Sequence, residues 1–324
     1  MEIILPVTLI ITMALFAASS SIAQNLFVAA QGNIIEMTPG GMQSTFASGL
    51  GTPSQLAFNR GGNLFVVTTD GNVYEYTPGG EQSILVSGLS SPQALAFDNS
   101  GNLYVSQFNG DIIEIASNGT QSTFEFGLSD PVGLAFDNQG DLFVANKHNN
   151  SIIEINPNGS KSTVASGLNG PLALAFDSSG DLFVGNTGGN IIEIAANGQQ
   201  STFASGLDGI VGLAFDEAGN LFEADENSGN IYEFTPDGTR TNFASGLNYA
   251  GLSFQFLPGL QAITTNQNFQ VTVSMPSPYY PTILQASTNL INWCNLSTNT
   301  TPFTFTDSAS SQLPARFFRA CTGP

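Results

Sequence analysis

VGLAFDNQGDLFVAN, at residues 132–146, decides the fold of this chain, because close copies of it recur along the sequence. A second marker, the pair Gly-Leu, has the same period. Successive pairs lie 39 or 40 residues apart and begin at Gly49, Gly88, Gly127, Gly167, Gly206 and Gly246. A fixed period near 40 residues with several short strands per unit is typical of radial β architectures.

One repeat unit can be divided into four strands. Residues 132–136 alternate apolar and small side chains, and we call this first strand a. A turn of Asp, Asn, Gln and Gly leads into strand b, residues 141–146. Strands c and d follow at residues 151–156 and 161–166. Four antiparallel strands make one blade of a β-propeller.

The two ends of the repeat region complement each other. Five complete units are present, whereas residues 25–48 supply strands b, c and d, and residues 250–255 supply a lone strand a. Joining the two pieces makes a sixth blade and leaves no open sheet edge. The sequence therefore predicts an all-β chain with a six-bladed β-propeller over residues 24–257.

The segments outside the repeats have different compositions. Residues 1–23 combine an apolar run with a small-residue cleavage site, which predicts a signal peptide and a secreted, periplasmic or cell-surface protein. Residues 258–324 lack the repeat and predict a small β-sandwich. Cys294 and Cys321 lie in this part, and a disulfide between them is expected in an oxidising compartment.

The net charge of −19 restricts the partners of the chain. Nucleic acids and anionic lipid surfaces bind through Lys and Arg, of which this chain has six. We therefore expect no nucleic-acid partner and no membrane insertion after signal cleavage. We expect the propeller to be a monomer, and its ligand could be a protein or a glycan.

Acidic residues recur at two positions of the repeat unit, and we call each set of equivalent residues a column. A Glu recurs on strand c, about 10 Å outside strand a at ~4.8 Å per strand, so carboxylates of different blades cannot share a metal ion. An Asp recurs in the a–b turns, where it can cap its own backbone. Both columns are predicted to be structural; the Glu column comprises Glu36, Glu75, Glu114, Glu154, Glu193 and Glu233.

The candidate site residues lie at the ends of strand b and in the b–c loops, on the face that also carries the d–a loops. In the last unit Glu223 replaces an otherwise apolar strand residue, and such breaks in a repeat often mark function. The predicted binding face comprises Gln107, Asn146, His148, Asn186, Glu223, Asp225 and Glu226.

The phrase at residues 133–146 resembles the NHL-type propeller superfamily and is similar to the gluconolactonase (senescence-marker) and streptogramin-lyase families. This resemblance covers residues 25–256. It implies a metal site at the tunnel mouth, with Asn or Asp near the start of strand a and a Glu. The matching positions hold none of these residue types; they are Ser54, Gln93, Val132, Leu172, Val211 and Ala250. In addition, residues 284–293 and 317–320 resemble C-terminal modules of exported bacterial proteins.

Two functions therefore remain open. The first is a non-enzymatic binding scaffold that uses the loop face and needs no cofactor, which near-identical units favour because catalysis requires one asymmetric site. The alternative is a metal-dependent hydrolase or lyase with Ca²⁺ or Mg²⁺ at the tunnel mouth. Its ligands would be Asn146, Asn186, Glu223 and Asp225.

Overall fold

The computed structural model describes residues 24–247 and 251–255 in full, and residues 249–250 and six further strands after residue 255 as backbone. The first part forms six four-stranded antiparallel sheets. Blade 1 contains β1 (Leu26–Ala30), β2 (Asn33–Met37), β3 (Gln43–Ala47) and β24 (Tyr249–Phe254). Blade 2 contains β4 (Pro53–Phe58), β5 (Leu64–Thr68), β6 (Asn72–Tyr76) and β7 (Gln82–Val86). Blade 3 contains β8 (Pro92–Phe97), β9 (Leu103–Gln107), β10 (Ile112–Ile115) and β11 (Gln121–Glu125).

The remaining blades repeat this order. Blade 4 contains β12 (Pro131–Phe136), β13 (Leu142–Asn146), β14 (Ser151–Ile155) and β15 (Lys161–Ser166). Blade 5 contains β16 (Pro171–Phe176), β17 (Leu182–Asn186), β18 (Asn190–Ile194) and β19 (Gln200–Ser205). Blade 6 contains β20 (Ile210–Phe215), β21 (Leu221–Asp225), β22 (Asn230–Phe234) and β23 (Arg240–Ser245).

The ring closes in blade 1, as the sequence predicts. Strand β24 pairs antiparallel with β1, so that Leu252 lies opposite Val28 and Phe254 lies opposite Leu26. The a strands of neighbouring blades contact each other all the way round, including β24 with β4. The six-bladed propeller is therefore confirmed.

Strands a approach closely because small residues face the next blade. Gly133 of β12 shows the constraint, since a Cβ added there would collide with the carbonyl oxygen of Leu172 in β16. The same third position of strand a is Ala or Gly in every blade except blade 2, where it is Gln55. The Gln55 side chain lies against Gly251, which has no side chain to obstruct it.

The core of the propeller consists of six apolar clusters between neighbouring blades. An aromatic ring on strand b of each blade meets a Phe on strand a of the next, with ring centroids 4.9–5.0 Å apart. All six pairs are edge-to-face, a geometry worth about 0.5–1.5 kcal/mol beyond area burial. These aromatic pairs, which recur at every blade boundary, therefore hold the blades together.

Both acidic columns make local hydrogen bonds. In the a–b turn of blade 4, Asp137 Oδ1 accepts the backbone N–H groups of Gln139 and Asp141 at 2.9 and 2.8 Å. On strand c, Glu36 Oε1 accepts the side-chain amide of Asn25 at 2.6 Å. These contacts agree with the structural role that the sequence predicts for the columns.

The C-terminal part contains two three-stranded antiparallel sheets. One has the order β25 (Gly259–Thr265), β26 (Asn268–Ser274), β29 (Phe303–Asp307). The other has the order β28 (Cys294–Thr300), β27 (Pro281–Ser287), β30 (Phe317–Thr322). Their packing as a sandwich stays a prediction.

The two cysteines lie on strands that flank β27. Cys294 is opposite Ala286, and Cys321 is opposite Ile283 on the other side. Because this register does not make the two residues neighbours and their side chains lie outside the described residues, the disulfide stays a prediction. The signal peptide, residues 1–23, also lies outside them. Within the described residues, no helix is long and apolar enough to span a membrane.

Candidate functional site

The polar residues that end strand b are largely used to hold the loops of the propeller. In blade 3, Gln107 Oε1 accepts the N–H of Ser90 at 2.5 Å. In blade 4, Asn146 Oδ1 accepts the N–H of Ser129 at 2.6 Å. Each donor lies 17 residues earlier, in the d–a loop that leads into the same blade. These two predicted binding residues are buried and already bonded within the protein.

Asp225 has the same role in blade 6. Its Oδ2 accepts the N–H of Asp208, again 17 residues earlier, at 2.7 Å, and its Oδ1 accepts the N–H of Ser228 at 3.0 Å. The neighbouring Glu226 is exposed, and its backbone N–H donates to Gly209 at 2.9 Å. The carboxylate of Asp225 thus holds the d–a and b–c loops of blade 6 in place.

Asn186 of blade 5 departs from this arrangement. Its Nδ2 lies 3.4 Å from the carbonyl oxygens of both Val184 and Asn190, whereas its buried Oδ1 has no hydrogen-bond partner. Asn186 is 1% exposed, so this oxygen lacks the hydrogen-bond donor that a buried acceptor normally has.

Glu223 is enclosed between blades 5 and 6. Its partners in the sheet, Leu213 and Tyr232, belong to the apolar cluster at that boundary. The residue is 0% exposed, and neither carboxylate oxygen has a hydrogen-bond partner. Burial raises the pKa of its carboxyl to about 8; Asp225 also raises this pKa, and Arg240 lowers it. Glu223 is thus part of the interior rather than of the loop surface.

His148 and Asp130 form a polar pair on the loop face. His148 Nε2 lies 3.6 Å from Asp130 Oδ2, and the His148 side chain is 64% exposed. Asp130 is buried, and its Oδ1 has no partner. Its φ of 57° lies in the left-handed region, where blades 5 and 6 use Gly170 and Gly209. A strained backbone that carries an unpaired carboxylate oxygen is often found at functional sites.

Two exposed aromatic residues were not predicted from the sequence. Phe108 and Phe126 are 59% and 73% exposed, and both lie in loops of the predicted binding face in blade 3. Phe126 stands where every other unit has Ser in the phrase Ser-Gly-Leu, and Phe108 stands where blades 2 and 5 have Thr69 and Thr187. Comparison of the loop columns, rather than of the strands, would have revealed both.

The residues present do not fit the metal site of lactonase-like propellers. The six positions at the start of strand a contribute no carboxylate, and Ser54 Oγ bonds carbonyl oxygens of Val67 and Pro92 at 3.4 Å. In the part of the chain that the structure describes, no three His, Cys, Asp or Glu side chains are grouped to hold a metal ion. The side chains at these positions therefore do not make up the ligand set that the resemblance implies.

Comparisons with known proteins agree with the fold. Residues 128–153 match the NHL repeat family model. No curated protein matches the sequence. Solved structures with the same fold include a gluconolactonase from Xanthomonas campestris, with 16% identity, a TM-score of 0.59, and coverage of 79% of this chain and 93% of that one.

Two further structures represent other functions on the same fold. A catalytically inactive virginiamycin B lyase from Staphylococcus aureus, solved with quinupristin, is 13% identical with a TM-score of 0.55, covering 79% of this chain and 94% of that one. An auxiliary nutrient binding protein from Bacteroides thetaiotaomicron is 12% identical with a TM-score of 0.55, covering 77% of this chain and 74% of that one. Identities this low establish the fold and leave function to the site.

Proposed function

We propose that this six-bladed β-propeller with an NHL repeat is an exported binding scaffold that docks a partner protein on its loop face. The observation that carries the proposal is the pair of exposed rings in blade 3, Phe108 and Phe126. In the other units the residue matching Phe126 is Ser. Exposed aromatic residues are enriched among the anchors of protein interfaces.

The loops that carry these rings are joined into one surface. Leu128 N–H donates to Gly110 at 3.0 Å, which connects the loops of Phe126 and Phe108. On the other side, Lys147 N–H donates to the carbonyl oxygen of Asp130 at 3.1 Å. The surface therefore runs from the b–c loop of blade 3, across the d–a loop, to His148 in blade 4.

The charge of the chain favours a basic partner. With a net charge of −19, the protein attracts cationic proteins at long range. Locally, Asp130 places a carboxylate in the same d–a loop as Phe126. We therefore infer a partner segment that combines basic and apolar side chains, and that meets this protein outside the cytoplasm.

The proposal can be tested by selecting peptides from a random phage-displayed library on immobilised residues 24–324. We expect selected peptides to be rich in Arg, Lys and aromatic residues. A Phe108→Thr, Phe126→Ser double variant should weaken their binding by about tenfold or more, as loss of interface anchors does. Both replacements are residues that other blades already use at these positions.

A matched control comes from blade 2. Ile84 is also an exposed apolar residue, but it lies in the outer strand β7 rather than in a loop of the binding face. Ile84→Thr restores the residue found in blades 1, 3, 4 and 5 and should leave peptide binding unchanged. Equal binding to the double variant and to the natural chain would refute the proposal.

The alternative of a metal-dependent hydrolase or lyase has less support. The side-chain oxygens of Asn146 and Asp225 accept loop N–H groups, and Glu223 is fully enclosed. A metal at these residues would have to compete with hydrogen bonds that shape the loops.

A further inference from the structure

Blades 4 and 5 enclose a groove of about 430 Å³ on the turn face, the side of the propeller that carries the a–b and c–d turns. Blade 4 contributes three half-buried carboxylates to it, Asp137, Asp141 and Glu154, which we call the carboxylate cluster. Among the residues that the structure describes, no Lys, Arg or His lines the groove. The lining also has an apolar part, formed by Phe143, Val164, Phe176, Leu182 and Ile194. The groove thus joins concentrated negative charge to apolar surface.

Asp141 departs from the repeat. Its position, just before strand b, is Asn in blades 1, 2, 3 and 6. In blades 1 and 2 the Asn amide donates to the strand c Glu at 2.6 and 2.7 Å, and in blades 3 and 6 it donates to the a–b turn Asp at 2.9 Å. A side chain at this position therefore reaches both neighbouring carboxylates. In blade 4 these are Glu154 and Asp137, so Asp141 adds a third negative charge where most blades have an amide donor.

The carboxylate of Asp141 has no hydrogen-bond partner among the described residues. Its equivalent in blade 5, Asp181, accepts the N–H of Ala196 at 2.9 Å. In blade 4 the residue that matches Ala196 is Pro157, which lacks an N–H. Asp137 uses Oδ1 to accept two turn N–H groups, and its Oδ2 accepts none from the described residues. Asp137 and Asp141 both line the groove and are not fully buried, so a molecule in the groove can reach them.

The lysines of blade 4 do not neutralise the carboxylate cluster. Lys147 lies after strand b, at the opposite end of the blade. Lys161 Nζ pairs with Glu125 of blade 3 at 3.0 Å. Adjacent carboxylates in a partly desolvated site repel each other, and a cation that enters between them removes this cost. The groove is therefore suited to a cationic ligand.

We infer that this groove binds a small primary alkylamine. An ammonium group has three N–H donors and can donate to several carboxylates at once, while its alkyl chain packs against the apolar lining. The volume of the groove falls within the ~300–1,000 Å³ of small-molecule pockets. In the described part of the chain, no three acidic, His or Cys side chains are grouped to hold a metal ion, so the carboxylate cluster fits an organic cation better.

This inference goes beyond the proposed protein docking, which uses the loop face, and is tested separately. Isothermal titration of residues 24–324 would compare hexylamine with hexyltrimethylammonium, which has the same charge and alkyl chain but no N–H donor. Physiological ionic strength would screen non-specific attraction to the net charge of −19. We expect one hexylamine to bind per chain, and hexyltrimethylammonium to bind about tenfold more weakly or less, because charge-assisted hydrogen bonds are strong.

Two substitutions in the carboxylate cluster test where the amine binds. Asp141→Asn introduces the residue of blades 1, 2, 3 and 6 and should weaken hexylamine binding by about tenfold. Its melting temperature should equal or exceed that of the natural chain, because it removes a like charge, so the lost affinity cannot come from unfolding. Glu154→Gln should also weaken binding, and it keeps an oxygen for the Ser162 hydroxyl, which lies 2.7 Å from Glu154 Oε2.

Controls separate this site from general attraction to an acidic protein. Glu81→Gln removes one negative charge from an exposed turn residue of blade 2 and should leave hexylamine affinity unchanged. Equal binding of the two probes, unchanged affinity in Asp141→Asn, or an equal loss in Glu81→Gln would overturn the inference. Tighter binding of a capped Ala-Lys-Ala peptide than of hexylamine would also overturn it, in favour of a docked protein side chain. The Phe108→Thr, Phe126→Ser variant should bind hexylamine normally, so the two proposals can fail independently.

Discussion

Lys161 Nζ of blade 4 lies 3.0 Å from Glu125 Oε1 of blade 3, and the pair joins the outer strands of the two blades. Glu125 is buried at a position that holds Ala or Val in every other unit. Lys161 replaces the Gln found in blades 1, 2, 3 and 5. The two departures from the repeat thus compensate each other across a blade boundary.

Removing the lysine should therefore destabilise the propeller. Lys161→Gln leaves the buried carboxylate with the N–H of Phe126, at 2.8 Å, as its remaining hydrogen bond. We expect a loss of about 1–3 kcal/mol in the free energy of unfolding, measured in urea. The double variant Glu125→Ala, Lys161→Gln should recover most of it. Equal losses in the single and double variants would contradict this prediction.

Glu223 should make stability depend on pH. Burial raises the pKa of its folded-state carboxyl to about 8, while the ordinary value is 4.5. Between these values the folded state holds one more proton than the unfolded chain, so stability falls as the pH rises. Glu223→Gln should remove this dependence of stability on pH. The difference in the free energy of unfolding between the variant and the natural chain should therefore grow, in favour of the variant, by on the order of 3 kcal/mol from pH 5 to pH 8.

Chemical unfolding at several pH values measures this difference. Glu226→Gln is the matched control, because Glu226 is an exposed glutamate on the next loop. It should leave the pH dependence unchanged. Parallel stability curves for the natural chain and the Glu223→Gln variant would show that Glu223 is ionised without penalty.

Asn146 and Asn186 should respond differently to the same substitution. Asn146→Ala removes an oxygen that bonds Ser129 N–H and leaves that donor unpaired, at a cost of about 1–2 kcal/mol. Asn186→Ala removes an oxygen without a partner and two long contacts of 3.4 Å, so the loss should be smaller. Thermal unfolding of both variants would check the order, and a larger loss for Asn186→Ala would contradict it.

Closure of the ring should depend on β24. A chain ending at residue 257 keeps the strand that pairs with β1, whereas a chain ending at residue 247 lacks it. The longer chain should unfold in one cooperative transition. The shorter one should lose that transition, because blade 1 would lack its inner strand and the ring would be open. Circular dichroism melting of both chains decides this.

Metal ions should have little effect on the melting temperature. The Asn146 and Asp225 oxygens are hydrogen-bonded to loop N–H groups. We therefore expect the same melting temperature in EDTA as in Ca²⁺, Mg²⁺, Mn²⁺ or Zn²⁺. A ligand that binds the folded state at 100 times its dissociation constant adds about 2.7 kcal/mol. A metal-specific rise that is lost in a Glu223→Ala, Asp225→Ala variant would favour the hydrolase alternative instead.

The sequence by itself determined the number of blades and the split first blade. Each of these follows from a period or a spacing, because a residue type that recurs in every unit contributes to the structure of that unit. The two strands of the ring closure could be paired from the sequence, because each end lacked what the other supplied. The structural role of the Glu column was predicted from its distance to strand a, and that of the Asp column from the capping of the a–b turns.

The tertiary structure alone decided which polar groups are free. Asn146 and Asn186 are the same residue at the same place in the repeat, yet one oxygen is bonded to a loop N–H and the other is not. Hydrogen bonding depends on where a donor 17 residues away stands to within a few tenths of an ångström. A repeat pattern records which residue recurs at a position, and the contacts of that residue are fixed by the packing of its loop.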